Sequence, residues 1–371
     1  ELGPRGRAVN PAGSIEFTGP AFPGHEGDEA TISIERRGGT RGEVSVRYGT
    51  MPRSATPATD FSATFGRLVW KDGESGTRLV HVPLMADDEI ERSELFDLVL
   101  SDVSGGAELP EPRAVGVIQD MTAGPGCADN DGALCLSGGR FRVEVEWQSH
   151  SGERGTGTLE RLSDETGIAT FFSPENVELV FKLLDGRGIN DHHWVYYGAL
   201  SDVEYWLTVT DTLHDRIVVY RNPPGEICGR GDSKAFAELA GLTAMSNPAV
   251  STPSAVETDG DCRPGALCLL DGRFEVTAEW TKADGETGVA TPLPGADATG
   301  YMWFFSPGNI ELAVKALDGR SHNNAFWVFA AGLTDVHYKV TVTDTVAGVS
   351  KTYSNPSRPF CGLGDTSAFP Q

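Results

Sequence analysis

An all-β chain of sandwich type is what this sequence predicts, and three observations carry the prediction. Its strong apolar segments are short and alternate with period two, as in SIEF, ATISIER, GEVSVRYG, RLVHVPL and VEYWLTVT, which is the pattern of half-buried strands. Glycine (45 residues) and proline (22 residues) punctuate these runs, as turns between strands require. No segment carries convincing i, i+3, i+4 apolar spacing, so helices are expected to be few and short. A chain of 371 residues with 39% apolar content is long enough for two or three cores, and it has no apolar run near the roughly 18 residues a membrane span needs.

The first twelve residues, 1–12, combine Pro and Gly without apolar periodicity and read as an unpaired arm, one that could still order by adding to the sheet edge of a neighbouring copy. This N-terminus has neither a charged nor an apolar leader region, so the chain is expected to be either cytosolic or already processed. Fifty-three acidic against thirty basic residues give a formal charge of −23, which repels phosphate backbones and anionic lipid heads. Nucleic acid is therefore excluded as a partner class.

Residues 86–96, ADDEIERSELF, gather Asp87, Asp88, Glu89, Glu91 and Glu94 at the entrance of the alternating stretch LFDLVLSD. A solvated acidic loop, a catalytic carboxylate pair and a hard-cation site all fit that composition. No nucleophile, electrophile or cofactor motif accompanies the acids, which sets the catalytic reading aside. Gly-rich phosphate loops, a GxSxG elbow and HExxH are also missing from the sequence, and no enzymatic activity is expected.

After residue 126 the chain repeats itself at an offset of 133 residues. FFSPENVELVFKLLDGR (171–187) matches FFSPGNIELAVKALDGR (304–320), Trp147 falls on Trp280, Trp194 on Trp327, Tyr220 on Tyr353, and LSDVEYWLTVTDT on LTDVHYKVTVTDT. Two copies of one domain follow, 127–236 and 262–371, joined by a Ser-, Thr-, Ala- and Pro-containing surface linker, 237–261. Alternate residues Val177, Leu179, Phe181 and Leu183, and Val203, Tyr205, Leu207 and Val209, are expected on an inward sheet face. The repeated aromatics are read as core rather than as a carbohydrate platform, and the Asp-Gly pairs 185/186 and 318/319 as turns.

Each copy carries three cysteines at matching places: Cys127, Cys135 and Cys228, then Cys262, Cys268 and Cys361. This regularity, with no CxxC and no paired histidines at ligand spacing, points to cystines outside the cytosol rather than to zinc. Cys127–Cys135 and Cys262–Cys268 are paired locally. Cys228 and Cys361 are then left for links between subunits, with a bond from each to the first cysteine of its own copy as the alternative. His192 and His193 fall opposite Ala325 and Phe326 and are read as surface or edge residues. GRGDS at 229–233 contains the cell-adhesion tripeptide, but copy two spells GLGDT there, so the aspartate is assigned to the local turn.

Residues 13–120 resemble a Calx-β domain over nearly their whole length, through GSIEFTGPAFPGHEGDEATISIERRGGTRGEVSVRYGT, ATDFSATFGRLVWKDGESGTRLVHVPLMADDEIERSELFDLVLSDVSGGAEL and AVGVIQD. The resemblance sets the first domain at 13–122 and implies an immunoglobulin-like β-sandwich with calcium ligands at one end. It carries that role to Glu26, Asp60, Asp87, Asp88, Glu91, Glu94 and Asp120. Two departures stand out: Ala86 occupies a position usually acidic in the family, and Asp120 is followed by Met121 and Thr122 instead of further aspartates. The expectation is thus one Ca2+ ion or a purely structural acidic loop, and not a multi-ion cluster. The duplicated region resembles a bacterial secreted β-sandwich repeat through C…LCL, GRF and Tyr-x-Asn-Pro.

These readings combine into three tandem immunoglobulin-like β-sandwich domains in an extracellular, cell-surface protein of bacterial type, doing structural or adhesive work. Its expected partners are a surface ligand or copies of itself. A subunit of a self-assembling fibre, or a homopolymer, is one alternative function. A non-catalytic accessory region of a larger secreted hydrolase is the other.

Overall fold

The computed structural model describes residues 10–87, 91–119, 127, 129, 132–238, 262–355 and 361–371. Residues 1–9 of the arm and 239–261 of the linker lie outside the described residues. The chain divides into two compact units, Glu1–Pro125 and Gly126–Gln371, and no helix among the described residues is long and apolar enough to cross a membrane.

The first unit contains eight strands: β1 (Ser14–Phe17), β2 (Ala21–His25), β3 (Glu29–Arg37), β4 (Val44–Pro52), β5 (Phe65–Trp70), β6 (Gly76–Pro83), β7 (Glu94–Ser104) and β8 (Arg113–Gln119). They form a three-stranded sheet, β1-β3-β6, and a five-stranded sheet, β2-β8-β7-β4-β5, with β2 and β8 parallel. Period-two alternation sends Ile32 and Ile34 from one sheet and Val46, Phe96 and Leu98 from the other into a shared core, where Phe61 stacks on Phe96 at 4.6 Å. One end is closed by Arg36, which is 1% exposed. Its guanidinium donates to the carbonyls of Ala12, Glu74 and Arg41, each at 3.1 Å, so the buried charge is hydrogen-bonded on several sides.

The second unit uses one topology twice. Copy one has β9 (Ala133–Leu136), β10 (Phe141–Gln148), β11 (Arg154–Thr156), β12 (Thr158–Arg161), β13 (Thr166–Thr170), β14 (Val177–Asp185), α1 (Arg187–Asn190), β15 (His192–Ala199), β16 (Glu204–Asp211), β17 (Arg216–Asn222) and β18 (Arg230–Ala237). Copy two has β19 (Leu267–Leu269), β20 (Phe274–Thr281), β21 (Thr287–Val289), β22 (Thr291–Leu293), β23 (Thr299–Trp303), β24 (Ile310–Asp318), α2 (Arg320–Asn323), β25 (Ala325–Gly332), β26 (His337–Asp344), β27 (Val349–Ser354) and β28 (Leu363–Pro370). In each copy the sheet β11-β10-β16-β17, or its equivalent centred on β20-β26-β27, faces the sheet β12-β13-β14-β15-β18, or β22-β23-β24-β25-β28. Leu179, Phe181, Leu183, Val203, Tyr205, Leu207 and Val209 lie in the core of copy one.

Val177 does not lie there, which corrects its expected placement. Ala169 pairs with Leu179 but Thr170 pairs with Val177, so Glu178 is an extra residue in a β-bulge. The extra residue reverses the alternation and turns Val177 to the other face of the sheet. That face is buried too. Ile168, Val177, Val180 and Leu200 of copy one pack with Tyr301, Ile310, Ala313, Ala331 and Leu333 of copy two in one cluster, so β14 and β24 are covered on both sides, as their near-continuous apolar sequence allows.

Two lysines fasten this contact reciprocally. Lys182 donates to the carbonyl of Ile310 at 2.8 Å and to Asn309, while Lys315 donates to the carbonyl of Val177 at 2.8 Å and to Asn176 at 2.9 Å. Each copy's bulge is thus capped by the other copy's lysine. Within each bulge a carboxylate holds the backbone: Glu178 accepts the Phe171 N–H and Glu311 the Phe304 N–H, both at 2.6 Å. Both lysines are 2% exposed. Burial pushes them down from their ordinary range and pushes Glu178 and Glu311 up, with the opposite charge from the other copy restoring part of each shift.

Cys127 is bonded to Cys135, Cys262 to Cys268, and Cys228 to Cys361. The third bond corrects the expectation that Cys228 and Cys361 link separate subunits, and equally the alternative that each pairs within its own copy. Face-to-face packing about a pseudo-two-fold axis brings equivalent residues opposite each other. The two loops therefore meet in an antiparallel bridge at the cysteines themselves, with the Gly362 N–H on the Ile227 carbonyl at 2.6 Å.

Two further expectations are corrected. His193 is buried at 4% exposed, because its ring occupies against Phe141 (5.1 Å) the slot that Phe326 occupies against Phe274 (5.2 Å). Burial first, and then the charge of Arg140, push this histidine down to about 4, so a neutral imidazole substitutes for a phenyl ring. The Asp-Gly pairs lead into one-turn helices instead of two-residue hairpin turns. Gly186 and Gly319 are needed for contact: a Cβ at either would come within 2.1 Å of the Trp194 or Trp327 ring.

Three outcomes test this architecture. Peptide mapping of the unreduced full chain will join Cys228 to Cys361 in a monomeric species. Lys182→Met will cost the second unit about 3–5 kcal/mol in urea unfolding because it strands a buried carbonyl and Glu311. Combining it with Glu311→Gln will cost less than the sum, by about 0.5–3 kcal/mol. The His193 shift sets an acid dependence: the unfolded chain takes up a proton below pH ~6.5 and the folded chain does not until about 4, so stability falls as pH falls through that window. His193→Phe will remove up to about 3 kcal/mol of this loss, read as a flatter melting-temperature profile between pH 6.5 and 4.

Candidate functional site

The segments carrying the acids singled out by the resemblance meet at the end of the first unit away from Arg36, because of how the strand ends there are tied together. The parallel register pairs His25 with Gln119, and the next N–H, from Glu26, continues it to the Gln119 carbonyl at 3.0 Å. Gly27 then takes φ +78°, a left-handed turn that glycine adopts without strain, and delivers the chain into β3. On the other flank Glu94 opens β7 opposite Ile118 of β8. Glu26 and Glu94 therefore stand on the two strands that border the end of β8, where the chain runs on towards Asp120.

Asp60 is brought in by the loop 56–61. Its carboxylate accepts the Thr56 N–H at 2.6 Å, and its carbonyl accepts the Met85 N–H at 2.9 Å. The Leu84 N–H in turn reaches the Asp28 carbonyl at 2.8 Å. Ala58 in this loop has φ +74°, a left-handed conformation that costs a non-glycine residue about 1–2 kcal/mol. The segment leading to Asp87 is thereby stitched to both Asp60 and the turn after Glu26. Ala86 faces that turn directly, since a Cβ on Gly27 would lie 3.4 Å from the Ala86 Cβ.

These ties bring the segments that carry Glu26, Asp60 and Asp87 towards the same end of the sandwich, where Glu94 opens β7 and Glu91 lies on the segment entering it. Asp88 and Asp120 lie outside the described residues. Among the described residues no three His, Cys, Asp or Glu side chains form a group that could hold a metal ion. Oxygen donors on rigid strand ends are the donor type calcium takes, so the chemistry of the set fits a hard cation.

Elsewhere, the tripeptide Arg230–Asp232 lies in β18, paired with β15. The Asp232 carboxylate accepts the Tyr220 hydroxyl at 3.1 Å and the Lys234 N–H at 3.0 Å, so it pins a strand instead of projecting from a loop. The Glu178, Lys182, Glu311 and Lys315 quartet was not read from the sequence. Its one signal is polar residues repeated at equivalent places inside two strongly apolar strands.

Similarity to known proteins falls on the first unit. Residues 9–121 match the Calx-beta domain family. The chain is 31% identical over 131 residues to the sodium/calcium exchanger Calx of Drosophila melanogaster, covering 34% of this chain and 14% of the exchanger. It is 33% identical over 88 residues to the adhesion G-protein coupled receptor V1 of Danio rerio, covering 24% of this chain and 1% of the receptor. The chain therefore spans only a small part of either relative. Among solved structures, the apo-form Calx CBD1 domain is 27% identical, with 29% of this chain and 96% of that domain covered and a TM-score of 0.28. The Calx CBD2 domain is 18% identical, with 31% and 91% covered and a TM-score of 0.29. Both named relatives are animal proteins, and nothing in them supports the bacterial type expected for the duplicated region. What the comparisons and the fold establish together is a Calx-beta-like domain followed by two further β-sandwich domains.

Proposed function

We propose that the first unit binds one calcium ion at its acidic apex and that the chain is a non-catalytic, extracellular structural or adhesive protein. The observation that supports the calcium reading is the pair of backbone ties, Glu26 to Gln119 and Asp60 to Met85, which hold acid-bearing segments distant in sequence at one end of the sandwich. Asp60, Asp87 and Glu94 would contribute oxygens, with Glu26 and Glu91 beside them and Asp88 and Asp120 as the remaining acids of the set. Ala86, where the resemblance leads one to expect an acid, keeps the reading at a single ion. The Calx name of one relative, a sodium/calcium exchanger, supports calcium over magnesium, as does a donor set spread over several loops.

The extracellular reading is supported by the disulfides, since every one of the six cysteines is engaged in a cystine and such bonds persist in oxidising compartments. The second unit is then a covalently closed double sandwich. Bound calcium would neutralise part of the mutual repulsion among the apex carboxylates and hold the strand ends together.

The test is calorimetry of the full chain. Calcium about a hundredfold above its Kd will stabilise the first unit by about 2.7 kcal/mol, which raises its melting transition by roughly 10 °C and leaves the second unit's transition in place. Chelation will reverse the shift. Asp60→Ala will abolish the calcium-dependent part of it, whatever that substitution does to the calcium-free melt. A transition insensitive to millimolar calcium, with no heat in titration, would remove the ion from this account.

A further inference from the structure

The outer face of the five-stranded sheet in the first unit breaks two rules that a passive surface keeps. In the β4–β5 pairing, Arg47 lies directly opposite Arg67, and like charges directly opposite each other destabilise a sheet. Two residues on along the same face, Gly49 lies opposite Phe65 and next to Val99 of β7, and Phe65 is 82% exposed while Met51 on the same face is 51% exposed. Because Gly49 contributes no side chain, these residues surround a shallow groove of about 560 Å³. It is apolar on its floor and basic along one wall.

The basic wall is partly pre-organised. Arg67 donates from Nε and Nη2 to the Ser45 hydroxyl at 2.9 and 2.6 Å, and Ser45 is fixed by Ser104 at 2.7 Å. Arg47 is held only loosely: Asp102 lies 3.6 Å away, and both side chains are about two-thirds exposed. Asp102 alone does not balance the two guanidiniums. In a chain whose net charge is −23, an exposed arginine pair beside an unpaired aromatic ring is a local reversal of both charge and polarity.

We propose that this groove is a docking surface for an acidic polypeptide segment of a foreign partner, in which a carboxylate settles between Arg47 and Arg67 and a neighbouring apolar side chain packs on Phe65, Met51 and Val99 above Gly49. Two guanidiniums side by side present the planar donor forks that carboxylates match, and a bound carboxylate converts their mutual repulsion into attraction. The apolar floor selects a polypeptide over a sulfated or phosphorylated polymer, which would satisfy the arginines and leave Phe65 in water. A second copy of this chain is disfavoured because two molecules with this net charge repel at long range.

The full chain will be titrated into a fluorescein-labelled short peptide alternating Glu with Leu, read by anisotropy. Saturable binding is expected, weakened by raising NaCl from about 50 to about 500 mM. Arg47→Glu with Arg67→Glu will weaken binding by about tenfold or more, and Phe65→Ser will weaken it several-fold. Arg47→Glu alone disturbs, among the described residues, no ion-pair partner but Asp102, so it keeps the test valid should the double variant misfold. A peptide alternating Lys with Leu will not bind. The proposal fails if no saturation is reached. It fails too if Phe65→Ser has no effect while all-Glu peptide and dextran sulfate bind equally well, which marks an indiscriminate anion patch. Sedimentation of the chain alone decides the remaining occupant: a dimer lost in Arg47→Glu would replace the foreign peptide with a second copy.

Discussion

The reciprocal capping of each bulge by the other copy's lysine is the constraint on which the second unit depends. A bulge frees backbone carbonyls from the ladder, and a freed carbonyl buried in an interface has to find a donor. Lys182 and Lys315 supply those donors from the opposite copy, and their charges are answered across the contact by Glu311 and Glu178. Apolar packing alone would hold two such faces together at several registers, because a two-residue slip returns the same alternation. The lysine contacts exist at one register only. The quartet thus contributes specificity more than net stability, the use for which buried polar groups are best attested.

Once that register is set, several other features follow from it. Equivalent residues meet at the pseudo-two-fold axis, so Cys228 finds Cys361, and Gly198 must stay small because a Cβ there would come within 2.9 Å of the Ala331 Cβ. The same geometry explains why β14 and β24 are apolar on both faces although they belong to two-sheet sandwiches. Each copy retains its own core, and the shared cluster between them makes the pair one compact unit in place of two independent domains.

Legibility in the sequence followed the burial pattern. Period-two alternation exposes a core with one wet face, and Leu179, Phe181, Tyr205 and Leu207 were placed by it. It assumes that the opposite face is wet, so it assigned Val177 to the core and gave Glu178 and Lys182 no role. Only the bulge distinguishes these, and a bulge has no side-chain signature of its own. The Cys228–Cys361 bond was missed for a related reason: the two copies read as separate domains, and only their packing brings the two loops together. At that end of the first unit the acids were singled out through a resemblance, while the fold shows only how their segments are tied, through the β2–β8 parallel pairing and the Asp60–Met85 bond.

His193 and Phe326 show how far divergence within one chain can go before the framework changes. Around both, Arg140 pairs with Asp211 and Arg273 with Asp344, at 3.0 and 2.9 Å. Asp211 would be raised by its burial, but hydrogen bonds from Arg140 and His214 hold it at about 2, so the ion pair persists well below the ordinary carboxylate range. With that pair fixed, the adjacent slot tolerates any flat ring that stays uncharged. Phe326 meets the condition by its chemistry, and His193 meets it because burial and the nearby Arg140 suppress its protonation. A histidine opposite a phenylalanine in an alignment therefore marks no lost or gained site here; the environment, set by the ion pair beneath it, makes the two residues physically alike.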